Sequence, residues 1–130
     1  MTTRIVTTFK ELGFKLKKFR ENVYIFDYKG VTLVYRQYLD DEDFLQIGMP
    51  LEKGDGKTDL YMLSNEINLR LKYVKSCVYN DNLWIIYERR LKNHDDLPEL
   101  IKDIVVYMVD SMHFYLDLMN CSTNVPNDVN

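Results

Sequence analysis

Gly54-Asp55-Gly56-Lys57-Thr58 is the stretch whose residue types come nearest to a chemistry. It ends as a phosphate-binding loop ends, between a predicted strand and a predicted helix. That loop has the pattern G-x-x-x-x-G-K-[ST], because its first glycine lets backbone N–H groups wrap the phosphates. Counting back from Gly56, the first-glycine position holds Leu51, and Pro50 before it lacks a donor. The plainer reading is a glycine-rich loop followed by a helix cap. The alternative gives Gly54, Gly56, Lys57 and Thr58 an anion-binding role in a small-molecule or nucleotide sensor.

Other charged groupings are weaker. Asp40-Asp41-Glu42-Asp43 is a continuous acidic run. Calcium loops space their ligands alternately and add a glycine and a distal Glu, so four adjacent acids read as a solvated loop. Asp110, His113 and Asp117 share the polar side of a predicted helix, with His113 and Asp117 at i, i+4. Transition-metal sites usually recruit a second element, so a solvated face is expected. His94 is the only other histidine. Nothing supplies a nucleophile, a metal cage or a cofactor site, and an enzyme is not expected.

Lys15, Lys17, Lys18 and Arg20 interleave with Phe14, Leu16 and Phe19. Basic residues beside aromatics suit single-stranded nucleic acid. They equally suit a strand edge guarded by lysines. Residues 1–36 hold eight Lys/Arg against three acids, whereas residues 37–60 hold seven acids against two lysines. The net charge is -3, and nucleic-acid binders are more often basic overall, so that partner is not expected.

The elements that must position these groups follow from periodicity. Thr2 or Thr3 caps a short helix with Ile5, Phe9 and Leu12 on one face and Gly13 as its stop. Phe14–Asn22 is a basic connector that can begin as a strand. VYIFDY (23–28) and VTLVYRQY (31–38) read as strands joined at Lys29-Gly30. FLQIGM (44–49) is a third strand, ended by Pro50. Thr58 caps a helix to about Tyr73, with Leu60, Leu63, Ile67 and Leu71 on one stripe. Val74–Tyr79 and Leu83–Leu91 are strands around Asn80-Asp81-Asn82. Asp96, Pro98 and Glu99 open a last helix with an acid-capped box. Asn120–Asn130 is polar and expected to fray. The order α-β-β-β-α-β-β-α, with short strand links, predicts an antiparallel meander sheet with helices on one face, a two-layer α+β domain over residues 1–119.

The last helix carries more apolar surface than one buried face needs. Leu97, Leu100, Ile101, Ile104, Val105, Met108, Met112, Tyr115, Leu116 and Met119 form the stripe, and Tyr107, Val109, Phe114 and Leu118 widen it. Its cover is either this chain or a second one. The strands raise the same question, because VYIFDY is apolar on both faces, whereas antiparallel sheets usually wet one. An outer aromatic face would mark an interaction site. Tyr24, Phe26, Tyr28, Tyr35 and Tyr38 are the candidates for contact with a protein or peptide partner, a second copy included.

No run approaches the ~18 apolar residues of a membrane span. No secretory h-region precedes Lys10, so a cytoplasmic location and reduced thiols at Cys77 and Cys121 are expected.

The segments TFKELGFKLKKF, VYIFDYKGVTLVYR, FLQIGMPLEK and NEINLRLKYVKSCVYNDNLWIIYERRL, ahead of the acid-capped helix, resemble the YbjN-like proteins over about residues 2–119. These are described as bacterial sensory-transduction regulators with a fold similar to type III secretion chaperones. The resemblance lies in the pattern of elements and carries no catalytic or binding residue across. It implies a non-enzymatic module that binds protein and can dimerise.

Overall fold

Thr3 caps the first helix, its side-chain oxygen accepting from the Val6 N–H at 3.3 Å. In this structure, a computed structural model, residues 3–124 are described, with side chains through Asn120. Helix α1 (Arg4–Glu11) buries Ile5, Val6 and Phe9, and Gly13 beyond its end takes φ +91°, a left-handed position that favours glycine. Four strands follow: β1 (Lys17–Arg20), β2 (Val23–Tyr28), β3 (Val31–Arg36) and β4 (Phe44–Lys53). Helix α2 (Leu60–Arg70), strands β5 (Val74–Tyr79) and β6 (Asn82–Arg90), and helix α3 (Leu97–Asn124) complete the order.

The strands form one six-stranded antiparallel sheet ordered β1-β2-β3-β4-β6-β5. Alternate residues on one face are sealed: Phe26, Leu33, Tyr35, Leu45, Ile47, Met49, Leu83 and Ile85 join Ile5, Phe9, Leu63, Ile67, Ile101 and Met108 in one core. All three helices therefore lie on one face, giving a two-layer α+β architecture. Each fully buried aromatic or aliphatic side chain contributes about 1.5–3 kcal/mol through apolar burial.

Four local expectations change. The basic connector supplies a sixth strand, β1. Pro50 does not end β4, which runs on to Lys53. Strand β3 pairs with β4 only at Gly48 and Ile47, so beyond Gly48 that side of β4 is free and a missing N–H costs no ladder bond. Thr58 is not the cap of α2. Asp59 is, its carboxylate accepting from the Met62 N–H at 3.0 Å, and the helix stops at Arg70. Helix α3 continues to Asn124, past Met119.

The covering of α3 is mostly internal. Ile101, Ile104, Val105, Met108, Val109 and Tyr115 are buried, while Val106 and Leu116 are about half exposed, at 46% and 48%. The helix that is apolar on two sides is α2: Leu60, Leu63 and Ile67 face the core, and Tyr61, Met62 and Leu69 face solvent. No helix among the described residues is long and apolar enough to cross a membrane.

Candidate functional site

The site grows out of the β2–β3 hairpin. Lys29 and Gly30 both have positive φ, at 49° and 77°, the geometry of a two-residue turn matched to strand twist. Such a turn is closed by a hydrogen-bonded pair, here Tyr28 and Val31, and bonded pairs then alternate along the strand. Asp27 consequently turns its N–H and C=O away from β3. On that side β1 should receive them, but its pairing stops at Lys17 opposite Ile25. Residues Phe26 to Tyr28 are left as an open sheet margin.

A groove of about 710 Å³ lies along this margin. Leu12, Phe14 and Lys15 return past it from the end of α1, and α3 contributes Lys102, Val105 and Val106. Phe14 bridges its wall, with ring centroids 5.3 Å from Phe26 and 5.8 Å from Tyr28. Lys15, Lys17 and Lys102 line it. Lys102 meets Glu99 at 3.5 Å on the exposed helix surface, a pairing of small worth. Lys15 and Lys17 make no ion pair among the described residues. The one acid of the groove, Asp27, accepts from the Thr32 hydroxyl at 2.9 Å.

The opposite edge of the sheet is finished differently. On β5 the Asn80-Asp81 turn, with φ 49° and 61°, sets the same alternation and turns the Ser76 backbone outward. Asn68 of α2 answers both groups. Its carbonyl oxygen accepts from the Ser76 N–H at 2.6 Å, and its NH₂ donates to the Ser76 carbonyl at 3.0 Å. One carboxamide stands in for a neighbouring strand.

The aromatic candidates do not form one outer face. Register sets Tyr24 opposite Tyr35 and Phe26 opposite Leu33, on the side that α1 covers. Phe26 and Tyr35 are sealed at 2% and 1% exposure, and burial pushes the Tyr35 hydroxyl up to about 12. Tyr24 stacks on Tyr35 at 6.2 Å. Phe26 and Tyr28 come together at the groove. Tyr38 lies apart, on the uncovered face, where its hydroxyl donates to Gln46 at 3.1 Å. Gln46 in turn donates to Glu88, which also holds Lys75 at 2.7 Å. Burial pushes Glu88 up, but the Lys75 and Gln46 donors outweigh it and hold the carboxyl below its ordinary value. An aliphatic patch lies on the same face, where Ile25, Val34 and Ile86 are half-buried beside Trp84 over Gly48, with Asp27, Thr32 and Arg36 at its margin.

The Gly54–Thr58 loop answers its own charge. One Asp55 carboxylate oxygen accepts from the N–H groups of Lys57 and Thr58 at 2.8 and 2.7 Å, and the other from the Thr58 hydroxyl at 3.0 Å. These donors, Thr58 first, hold Asp55 below the usual carboxylate range. Gly54 sits against the β5–β6 turn, where a side chain would collide with the Asp81 carboxylate.

The acidic run is also engaged, Asp41 with Arg90 at 2.8 Å and Asp43 with Arg4 at 3.6 Å. Asp110, His113 and Asp117 are exposed on α3. No group of three or more His, Cys, Asp or Glu among the described residues is placed to hold a metal ion. Cys77 is a half-buried free thiol, and the Cys121 side chain, like Thr2 and residues 125–130, lies outside what is described.

The sequence alone does not single out Asp27, Asn68, Lys102 and Val106. An asparagine or lysine on a helix carries no local signal that it faces a sheet edge. The chain matches no protein-family model, and no curated protein matches it.

Proposed function

We propose that this chain is a non-enzymatic, chaperone-like interaction module that receives a peptide segment of a protein partner in the groove beside β2. The observation that carries this reading is the coincidence of an open backbone margin at Asp27 with an apolar groove on the same side. Extended segments join exposed sheet edges through main-chain hydrogen bonds, and adjacent pockets select their side chains. The YbjN-like resemblance points the same way.

Selection from a random displayed-peptide library against the whole chain tests it. Enriched peptides should lose binding to Val106→Gln, which places a polar amide in the groove mouth, and keep it with Leu116→Gln on the same helix. No enrichment, or binding indifferent to Val106→Gln, overturns the reading. Self-association through the aliphatic patch of the uncovered face is the accompanying reading, favoured by Ile25, Val34 and Ile86 lying together there. A solution mass of one chain at high concentration would remove it.

A further inference from the structure

Resting on that reading, we infer that the groove selects an acidic extended segment, one that alternates Asp or Glu with apolar residues. Charge complementarity chooses the occupant. The chain as a whole is acidic at -3, yet this groove gathers Lys15, Lys17 and Lys102 around apolar walls from Leu12, Phe14, Tyr28 and Val106. Two of the three lysines have no counter-charge among the described residues, and Asp27, the single acid, is turned to Thr32. At the other margin of the same sheet an equivalent outward pair, that of Ser76, is closed by Asn68.

Lysines at a sheet edge discourage pairing with like edges. A second copy docking edge to edge here would bring the same lysines face to face. The rim therefore bars self-pairing and admits an anionic strand. The outward N–H and C=O at Asp27 together match a peptide backbone, whereas a phosphodiester offers an acceptor for the N–H but no donor for the C=O, which favours a peptide over single-stranded nucleic acid. Alternation fits because successive residues of a strand point to opposite sides, so apolar residues can face Phe14 and Val106 while acids face the lysine rim.

The test is fluorescence polarisation of three labelled probes against the full chain at low salt: a short peptide alternating Glu with Val and Ile, the same peptide with Lys for Glu, and oligo-dT. The Glu probe should bind, the Lys probe should not, and the triple variant Lys15→Gln/Lys17→Gln/Lys102→Gln should weaken the Glu probe about tenfold, since exposed pairs are each worth a fraction of a kcal/mol. These lysines are exposed, so the variant should fold as the parent does. Asp27→Pro removes the outward N–H and should abolish Glu-probe binding. Equal binding of the Glu and Lys probes, or an undiminished triple variant, overturns the inference while leaving a peptide groove in place. Oligo-dT binding that needs the lysines and ignores Asp27→Pro overturns it in favour of nucleic acid. Failure of the Glu probe to bind at all overturns it outright, and the library selection then decides the broader reading.

Discussion

Two margins of the sheet, the stretch of β2 beyond the end of β1 and the edge strand β5, are built on the same turn chemistry and finished in opposite ways. Two-residue turns with left-handed residues close both hairpins, at Lys29-Gly30 and Asn80-Asp81. Each turn fixes which backbone groups face outward. At Ser76 a side chain from α2 satisfies them, and at Asp27 nothing described does. The difference is decided by one helix residue, Asn68, and by where β1 stops. At Ser76 the outward pair is filled, whereas at Asp27 lysines and apolar walls surround an outward pair with no partner among the described residues. The Gly54–Thr58 loop belongs with the sealed edge, since Asp55 already occupies its donors.

The groove shares its floor with the core, and the largest effect is expected there. Phe26→Ala should cost about 3–5 kcal/mol in urea unfolding, because it removes a buried ring packed against Phe9 and Phe14. A loss below about 1 kcal/mol would mean that the floor is not core. Next, Asn68→Leu at the sealed edge should cost about 1–3 kcal/mol by leaving the Ser76 N–H and C=O without partners. It should also convert that edge into a sticky one, seen as concentration-dependent association in sedimentation. Unchanged stability would show that water satisfies Ser76 and that the two edges are alike. Asp27→Pro should cost only about 1 kcal/mol, since its N–H faces away from β3. A collapse of the fold would place that N–H in the ladder.

The smallest effect is a pH dependence on the uncovered face. Glu88 has its folded pKa below the ordinary 4.5, so its contribution is present above that value and fades as the pH falls through the folded pKa. Lys75 is shifted up by the Glu88 hydrogen bond, so its contribution holds below its ordinary 10.5 and is lost as the pH rises through the folded pKa. The stability difference between the parent and Glu88→Gln should be constant near neutrality and vanish on acidification. A difference that grows in acid would contradict the Lys75–Glu88–Gln46 arrangement.

Periodicity and turn residues make most of the fold legible. VYIFDY and VKSCVY lie as strands with the bounds read for them, because β-branched and aromatic residues and the flanking Lys-Gly and Asn-Asp turns agree. The misjudged points are those where a neighbour decides. Pro50 continues a strand because β3 has already left that side of β4. Thr58 yields the cap to Asp59 because Asp55 takes both its N–H and its hydroxyl. The aromatic group reads in sequence as one surface, and the register divides it, since pairing decides which face of β2 the α1 helix covers. Lys15 and Lys17 are visible as a basic strip. Lys102 and Val106, some ninety residues later, join them only in the fold.

Amide hydrogen exchange at Asp27 and Ser76, read by NMR in the same sample with and without the Glu probe peptide, compares the two edges most directly. An open edge at β2 predicts fast exchange at Asp27 that slows when the peptide is added, with Ser76 slow throughout. Protection of Asp27 in the free chain, or an Asp27 rate untouched by saturating peptide, would contradict it.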